Sequence, residues 1–350
     1  MKVEANVELA PRTTIGVGGA AAHYARVESD AELLEALAWA KARSLPVRVL
    51  GGGSNVLVAD AGFTGLVIEM AARGVHVAER TSDGTVQVRA AAGEPWDDFV
   101  ASMVSRGYQG LECLSGIPGR VGATPLQNVG AYGQDVSETI CRVTALDTSS
   151  GAQRSFSNED CRFSYRDSFF KSLEPGRFIV TEVGFQLRPG AAPAIRYAEL
   201  ERHFKERGAL APSLAEVRDT VVRLRRSKSM VLDSDDPNSR SCGSFFMNPV
   251  LTSSAYLAFC ERARGEGDVP SFPQADGKVK LSAGWLIEHA GLPRGTRDGA
   301  VGLSTKHALA LVAHAGARAA DVLRLAQTVQ RTVFTRFAVQ LVPEPVFWGF

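Results

Sequence analysis

The stretch Ser115–Gly133, SGIPGRVGATPLQNVGAYG, decides how this chain is read. It holds five glycines, two prolines and one formal charge, Arg120. Glycine and proline both disfavour a helix interior, and proline does not sit in the middle of a sheet. Glycine is needed where backbone dihedrals are unusual or where another group approaches the chain closely. A long, nearly uncharged loop is unlike a solvated linker, so it points to backbone packed against a bound ligand. A second glycine loop, Leu50–Asn55 (LGGGSN), lies upstream. Two such loops suggest a large cofactor with phosphates. LGGGSN lacks the GxGxxG of a dinucleotide fingerprint, and the VLVAD that follows reads as a strand rather than a helix. Phosphate there would be held by loop amides, not by a helix N-terminus.

The totals narrow the class. At 350 residues the chain is long for one domain, and two or three are expected. Its net charge of +1 argues against a broad nucleic-acid surface. The cysteines at 113, 141, 161, 242 and 260 form no CxxC pair and are odd in number. A disulfide framework and a metal site are therefore not expected, and a reducing, cytoplasmic setting fits best. The opening MKVEANVELAPR has acidic residues and no apolar core, so it does not read as a signal peptide. No run approaches the ~20 apolar residues of a membrane span.

Periodicity outlines the frame. Ser29–Ser44 reads as a helix with a Ser29/Glu32 capping box and an apolar face of Leu33, Leu34, Leu37 and Ala38. Strands are expected at Pro46–Leu50, Val56–Val58, Leu66–Glu69, Thr85–Ala91, Ile140–Asp147 and Phe178–Leu187. Pro95 opens a helix over Trp96, Phe99, Val100, Met103 and Val104 that Gly107 closes. Ser213 and Glu216 box a helix that ends in basic residues, as the helix dipole favours. Beyond residue 227, helices are expected at Ala283–Ala290 and Ala319–Val333, and strands at Ala308–Ala313 and Phe337–Val342. The order gives an α/β N-terminal part, a mixed middle and an α+β C-terminal part, divided as 1–75, 76–226 and 227–343, with the tail 344–350 packing back on the first part.

With four further motifs, the two loops acquire a family. LGGGSN, SGIPGRVGATPLQNVGAYG, YRDSFFK (Tyr165–Lys171), GSFFMNP (Gly243–Pro249), KLSAGWLIEHAG (Lys280–Gly291) and EPVFWG (Glu344–Gly349) occur in that order across nearly the whole chain. This series resembles the UDP-N-acetylenolpyruvoylglucosamine reductase family. The resemblance implies an α+β protein with a two-part FAD-binding fold of the vanillyl-alcohol-oxidase type and a C-terminal α+β substrate domain. It implies non-covalent FAD, with NADPH as co-substrate. Hydride passes through FAD to the methylene carbon of an enolpyruvyl ether carried on UDP-N-acetylglucosamine. The product is UDP-N-acetylmuramate, a peptidoglycan precursor. It also implies small-molecule partners only, no nucleic acid or membrane, and a monomer.

That chemistry needs a proton donor at the neighbouring carbon and donors near the substrate carboxylate. The resemblance assigns the proton to Ser244, the carboxylate side to Arg166, whose planar paired donors suit a carboxylate, and support of the intermediate to Glu344, held extended between Pro343 and Pro345. It places FAD on Gly51, Gly52, Gly53, Ser54 and Asn55, and on Ser115, Gly116, Pro118, Gly119, Gly122, Ala123, Gln127, Asn128, Ala131, Tyr132 and Gly133. Substrate contacts fall on Tyr197, Lys228, Asn248 and His289, and no metal is implied. Each has a plainer reading alone: GSFF as a turn into a buried strand, Arg166 as an ion-pair partner, Tyr197 as a half-buried aromatic, Lys228 as a helix-end charge, Asn248 as a turn residue, His289 as structural. The chain departs from the family at Thr13–Gly16 (TTIG) and in the longer Ser229–Ser241 segment, which leaves the place of Lys228 and any role of Arg240 open. Two rivals stand beside the reductase: an FAD-linked oxidase of the same superfamily, and a non-catalytic nucleotide-sugar or flavin-binding protein.

Overall fold

A computed structural model describes residues 1–208 and 211–350. The described chain forms two compact units. The first comprises Met1–Val7, Ala21–Gly52 and Thr64–Arg226. The second comprises Glu8–Ala20, Gly53–Phe63 and Ser227–Phe350. The triple-glycine loop thus passes from one unit to the other between Gly52 and Gly53.

The first unit holds two main sheets. In the smaller, the strands run in the order Glu4–Glu8, Ala20–Val27, Phe63–Met70, Val47–Leu50, the last two pairing in parallel. The helix Asp30–Lys41 covers it, with Ser29 capping through Oγ. The buried stripe is Leu33, Ala36 and Ala40, with Leu37 beside it, whereas Leu34 is 41 % exposed. The expected face was one position off because Leu34 and Ala38 lie on the flank of a 3.6-residue spiral. The Ser29/Glu32 box is also incomplete: the Glu32 carboxylate accepts from Glu28 N–H rather than from Ser29.

The larger sheet runs Gln153–Ser157, Ile140–Asp147, Phe178–Pro189, Val86–Ala91, Val75–Arg80, all antiparallel. The helix Trp96–Ser105 buries Trp96, Phe99, Val100, Met103 and Val104. Trp96 and Phe99 lie 6.0 and 5.0 Å from the Phe185 ring, centroid to centroid. Burial of each such side chain stabilises the fold by roughly 1.5–3 kcal/mol. The Ser213/Glu216 box forms in both directions and starts the helix Leu214–Ser227.

The second unit is built on the helix Ala319–Phe337, whose stripe Val322, Leu325, Ala326, Val329, Val333 and Phe337 is buried. The strand expected at Phe337–Val342 does not form. Phe337 continues the helical stripe, and Ala338, at φ +55°, ends the helix. Helices Ser253–Arg262 and Ala283–His289 pack in the same core. Two three-stranded sheets and a parallel pair, Val346–Trp348 on Val56–Val58, complete the unit. Among the described residues no helix is long and apolar enough to cross a membrane.

Candidate active site

In the first unit, the helix Trp96–Ser105 holds the start of the long loop. Trp96 Nε1 donates to the Leu114 carbonyl at 3.1 Å, and Trp96 N–H to Gly119 at 3.1 Å. The Asp97 carboxylate accepts from Gly116 N–H at 2.6 Å. It also takes a two-pronged bond from Arg218, at 2.6 and 2.9 Å. Burial by itself would raise the Asp97 pKa, but Arg218 and the Gly116 amide outweigh it and hold the carboxyl below its ordinary range. Nothing local in the sequence signals this anchor, since Asp97 and Arg218 lie 121 positions apart.

Held in this way, the long loop meets Gly51 and Gly52. A methyl group on Gly52 would stand 2.6 Å from the Gly119 Cα, and one on Gly51 3.5 Å from the Ala123 Cβ. Pro118, Gly119, Gly51 and Gly52 are half-buried. Ser115 and Gly122 turn inward instead: the Ser115 hydroxyl donates to the Glu112 carbonyl at 2.7 Å, and a methyl on Gly122 would strike Ala92 at 2.4 Å. No carboxylate occurs within Gly51–Asn55 or Ser115–Gly122. Two glycine turns brought this close, with amides and no acid in either, fit a dinucleotide pyrophosphate.

Further along, Gly130–Ala131 pairs with Gln134–Asp135 around Tyr132 and Gly133. Their φ values of +50° and +77° are those of a two-residue hairpin turn. Tyr132 packs edge-on to Tyr197, 5.3 Å between centroids. Burial pushes the Tyr132 hydroxyl up to about 12, against the pull of Arg225, so it remains a donor. Tyr197, just before the helix Ala198–Glu206, is 42 % exposed.

Arg166 sits on left-handed backbone, φ +56°, beside the π-helical turn Phe169–Leu173. Its Nη2 donates to the Gly130 carbonyl at 2.6 Å and Nη1 to Asn128 at 3.3 Å. Asn128 (φ +45°) bonds the Ser164 carbonyl and Ser137 N–H, tying the loop to the segment that carries Arg166. Three non-glycine residues with positive φ thus gather around one hairpin, a concentration of strain typical of functional sites. Ala131, Gln127, Ala123 and Gly133 line the same loop, the last two exposed.

The second unit brings the segments that carry Ser244 and Glu344 side by side. Phe246 and Pro343 form an antiparallel bridge, and Glu344 N–H donates to the Phe245 carbonyl at 2.9 Å. Asn55 joins them: its Nδ2 donates to the Glu344 carbonyl at 3.3 Å, and its own carbonyl accepts from Val346 N–H at 3.0 Å. Ser244 and Ser54 are half-buried. Gly53 turns at φ +63° against the Arg12 carbonyl, 2.1 Å from where a methyl would stand. Asn248 Oδ1 accepts from Ala283 N–H at 2.9 Å, capping the helix Ala283–His289. His289, in its last turn, stacks on Trp285 at 3.9 Å and bonds the Trp285 carbonyl through Nδ1 at 2.9 Å, a structural use of the ring. Lys228, half-buried, directly follows the helix Leu214–Ser227.

The long Ser229–Ser241 segment folds on Asp236. Burial would raise that carboxyl, but bonds from Ser229 (2.6 Å), Asn238 (2.9 Å) and Lys306 (3.0 Å) hold it well below the usual range. Arg240 Nη2 donates to the Gly16 carbonyl at 2.8 Å.

Comparison with known proteins fits this geometry. Residues 235–348 match the family model for the C-terminal domain of UDP-N-acetylenolpyruvoylglucosamine reductase, and residues 21–157 match that of an FAD binding domain. A curated relative with that reductase name from Thermobifida fusca is 48 % identical over 349 residues, covering 98 % of this chain and 97 % of its own. The chain belongs to the UDP-N-acetylenolpyruvoylglucosamine reductase family. A second reductase, from Salinispora arenicola, is 46 % identical over 347 residues, covering 98 % of this chain and 95 % of its own. Among solved structures, the reductase from Thermus caldophilus aligns over 99 % of both chains with a TM-score of 0.68 at 28 % identity.

Proposed function

We propose that this chain is an NADPH-dependent flavoprotein reductase that converts UDP-N-acetylglucosamine enolpyruvate to UDP-N-acetylmuramate. The observation that carries the reading is the pairing of the Ser244 and Glu344 segments across the Phe246–Pro343 bridge, with Asn55 of the glycine loop bonded to Glu344. In this reading the main chain at Ser244 and Glu344 is held beside the strand end of the loop that would bind flavin, which supports a proton donor and a carboxylate there. FAD, when bound, supplies the redox chemistry that carries reducing equivalents from NADPH to the enolpyruvyl double bond.

The chain's residues supply the rest. Gly51–Asn55 and the backbone N–H groups of Ile117 and Gly119 offer amides to the pyrophosphate, while Gly116 N–H stays on Asp97. The Ser244 hydroxyl gives its proton to the carbon beside the substrate carboxylate and is reprotonated from solvent. Glu344 stabilises the intermediate at that carbon. The Arg166 guanidinium, oriented by the Gly130 and Asn128 carbonyls, answers the carboxylate. Tyr197, on the edge of Tyr132, closes on the diphosphate with Lys228, and the Asn248 amide NH2 bonds the nucleotide. In this reading residues 1–75 and 76–226 hold FAD, 227–343 bind substrate, and the protein acts as a cytoplasmic monomer.

The purified protein is then yellow and releases free FAD on denaturation. NADPH bleaches it, and the enolpyruvyl nucleotide restores the colour without oxygen. Recovery with oxygen alone would make it an oxidase and end the reductase reading. An absence of either change would make it a binding protein.

A further inference from the structure

Ser244 follows Gly243, which turns at φ +73° and has no side chain to brace the turn. Beyond the serine the support is main chain: Phe245 N–H donates to Leu309 at 2.7 Å, and the Phe245 carbonyl accepts from Glu344. Before the serine, Ser241 bridges to Val312 and the Cys242 thiol donates to the Val56 carbonyl at 3.5 Å, and a distant side chain adds to these. Thr14 Oγ1 donates to the Ser241 carbonyl at 2.6 Å, across 227 positions. The Ser241 hydroxyl in turn accepts from Gly243 N–H at 3.2 Å. Thr14 N–H donates to the Gly53 carbonyl at 3.0 Å. One threonine therefore spans the glycine loop and the turn that carries Ser244. Its neighbour Thr13 spends its hydroxyl locally, on the Ala10 carbonyl. Arg240, bonded to the Gly16 carbonyl, closes the two segments a second time.

We infer that Thr14 is a positioning residue for Ser244, an inference that rests on Ser244 being the proton donor. Thr14 touches no reacting atom. Its hydroxyl fixes the Ser241–Gly243 turn against Gly53, and so fixes the serine relative to the loop proposed to hold flavin. Without that bond the turn keeps its bridge to Val312 and its downstream anchors but loses the hydroxyl tie towards Gly53, and the serine can shift about Gly243. The consequence falls on proton delivery, and neither flavin binding nor reduction by NADPH depends on it.

The test uses the holoenzyme with Thr14→Val, which keeps the shape and removes the hydroxyl, and Thr14→Ser, which keeps the hydroxyl. Wild type is measured first: if the enolpyruvyl nucleotide does not restore its colour anaerobically, the reductase reading itself fails. Given that it does, Thr14→Val should slow recolouring at saturating nucleotide by about tenfold or more, the scale on which small misplacements of a reacting group act. Bleaching by NADPH should stay within about twofold, and so should the affinity of the apoprotein for FAD, read from flavin fluorescence. Thr14→Ser should recover most of the recolouring rate. Equal slowing of both halves, recolouring at the wild-type rate, failure of Thr14→Ser to recover it, or loss of flavin or of folding in Thr14→Val would each overturn the inference, because a merely structural threonine gives those results.

Discussion

The two units hold their candidate site residues in opposite ways. In the first, side chains do the holding. Asp97 grips Gly116, Arg166 rests on two loop carbonyls, and Asn128 ties the loop to the Arg166 segment, with several residues in left-handed backbone. In the second, Ser244 and Glu344 are held mainly by main-chain bonds and a strand bridge. The difference separates chemistry from support. Where main chain carries the load, the side chain is free to be chosen for its reactivity. Where side chains carry it, the same residue serves stability and function together, and a substitution strikes both.

Substitutions can break this comparison. The largest effect is expected at Gly53, where the second unit relies on backbone shape. Gly53→Ala places a methyl 2.1 Å from the Arg12 carbonyl at φ +63°, and denaturant unfolding should show a loss of about 3 kcal/mol or more. Next comes Arg166→Ala, which removes charge-assisted bonds to Gly130 and Asn128. It should lower stability by about 1–3 kcal/mol and kcat by about 10²–10³-fold. Unchanged stability there would remove the claim that Arg166 supports the loop.

Asp97→Asn sharpens the comparison through pH. The carboxyl is depressed in the fold and lies near 3.9 in the unfolded chain. Its contribution is therefore present above about pH 4 and is lost as pH falls through the lower folded value. Asparagine should cost about 1 kcal/mol at neutral pH, a figure discounted for the 39 % exposure of the Asp97 side chain. The gap from wild type should close in acid, as read from urea midpoints between pH 7 and 3. The smallest effect is expected of Tyr197→Phe, which keeps the edge contact with Tyr132. It should raise KM for the nucleotide about threefold to tenfold, the value of one hydrogen bond, with melting unchanged.

Much of the frame was legible in the sequence because its signals are local. The Trp96–Ser105 stripe and the Ser213/Glu216 box formed as periodicity and capping dictate. The glycine loops announced close packing, and Gly52 on Gly119 is such a contact, although it is chain on chain. What could not be read is what joins distant segments: Asn55 to Glu344 across 289 positions, Thr14 to Ser241 across 227, Asp97 to Arg218 across 121. Nor did the sequence show that Tyr132 and Gly133 form a hairpin turn, because tyrosine is no usual residue for positive φ. Phe337 misled for the opposite reason, being as much at home in a strand as at the end of a helical stripe.

The central claim is that Ser244 delivers a proton from a backbone-held position. Ser244→Ala, reduced by NADPH and then mixed with the enolpyruvyl nucleotide under nitrogen, tests it most directly. The account predicts bleaching at the wild-type rate, an unchanged melting temperature, and recolouring slowed by at least about 10²-fold, the general-acid scale. Recolouring at the wild-type rate would contradict it.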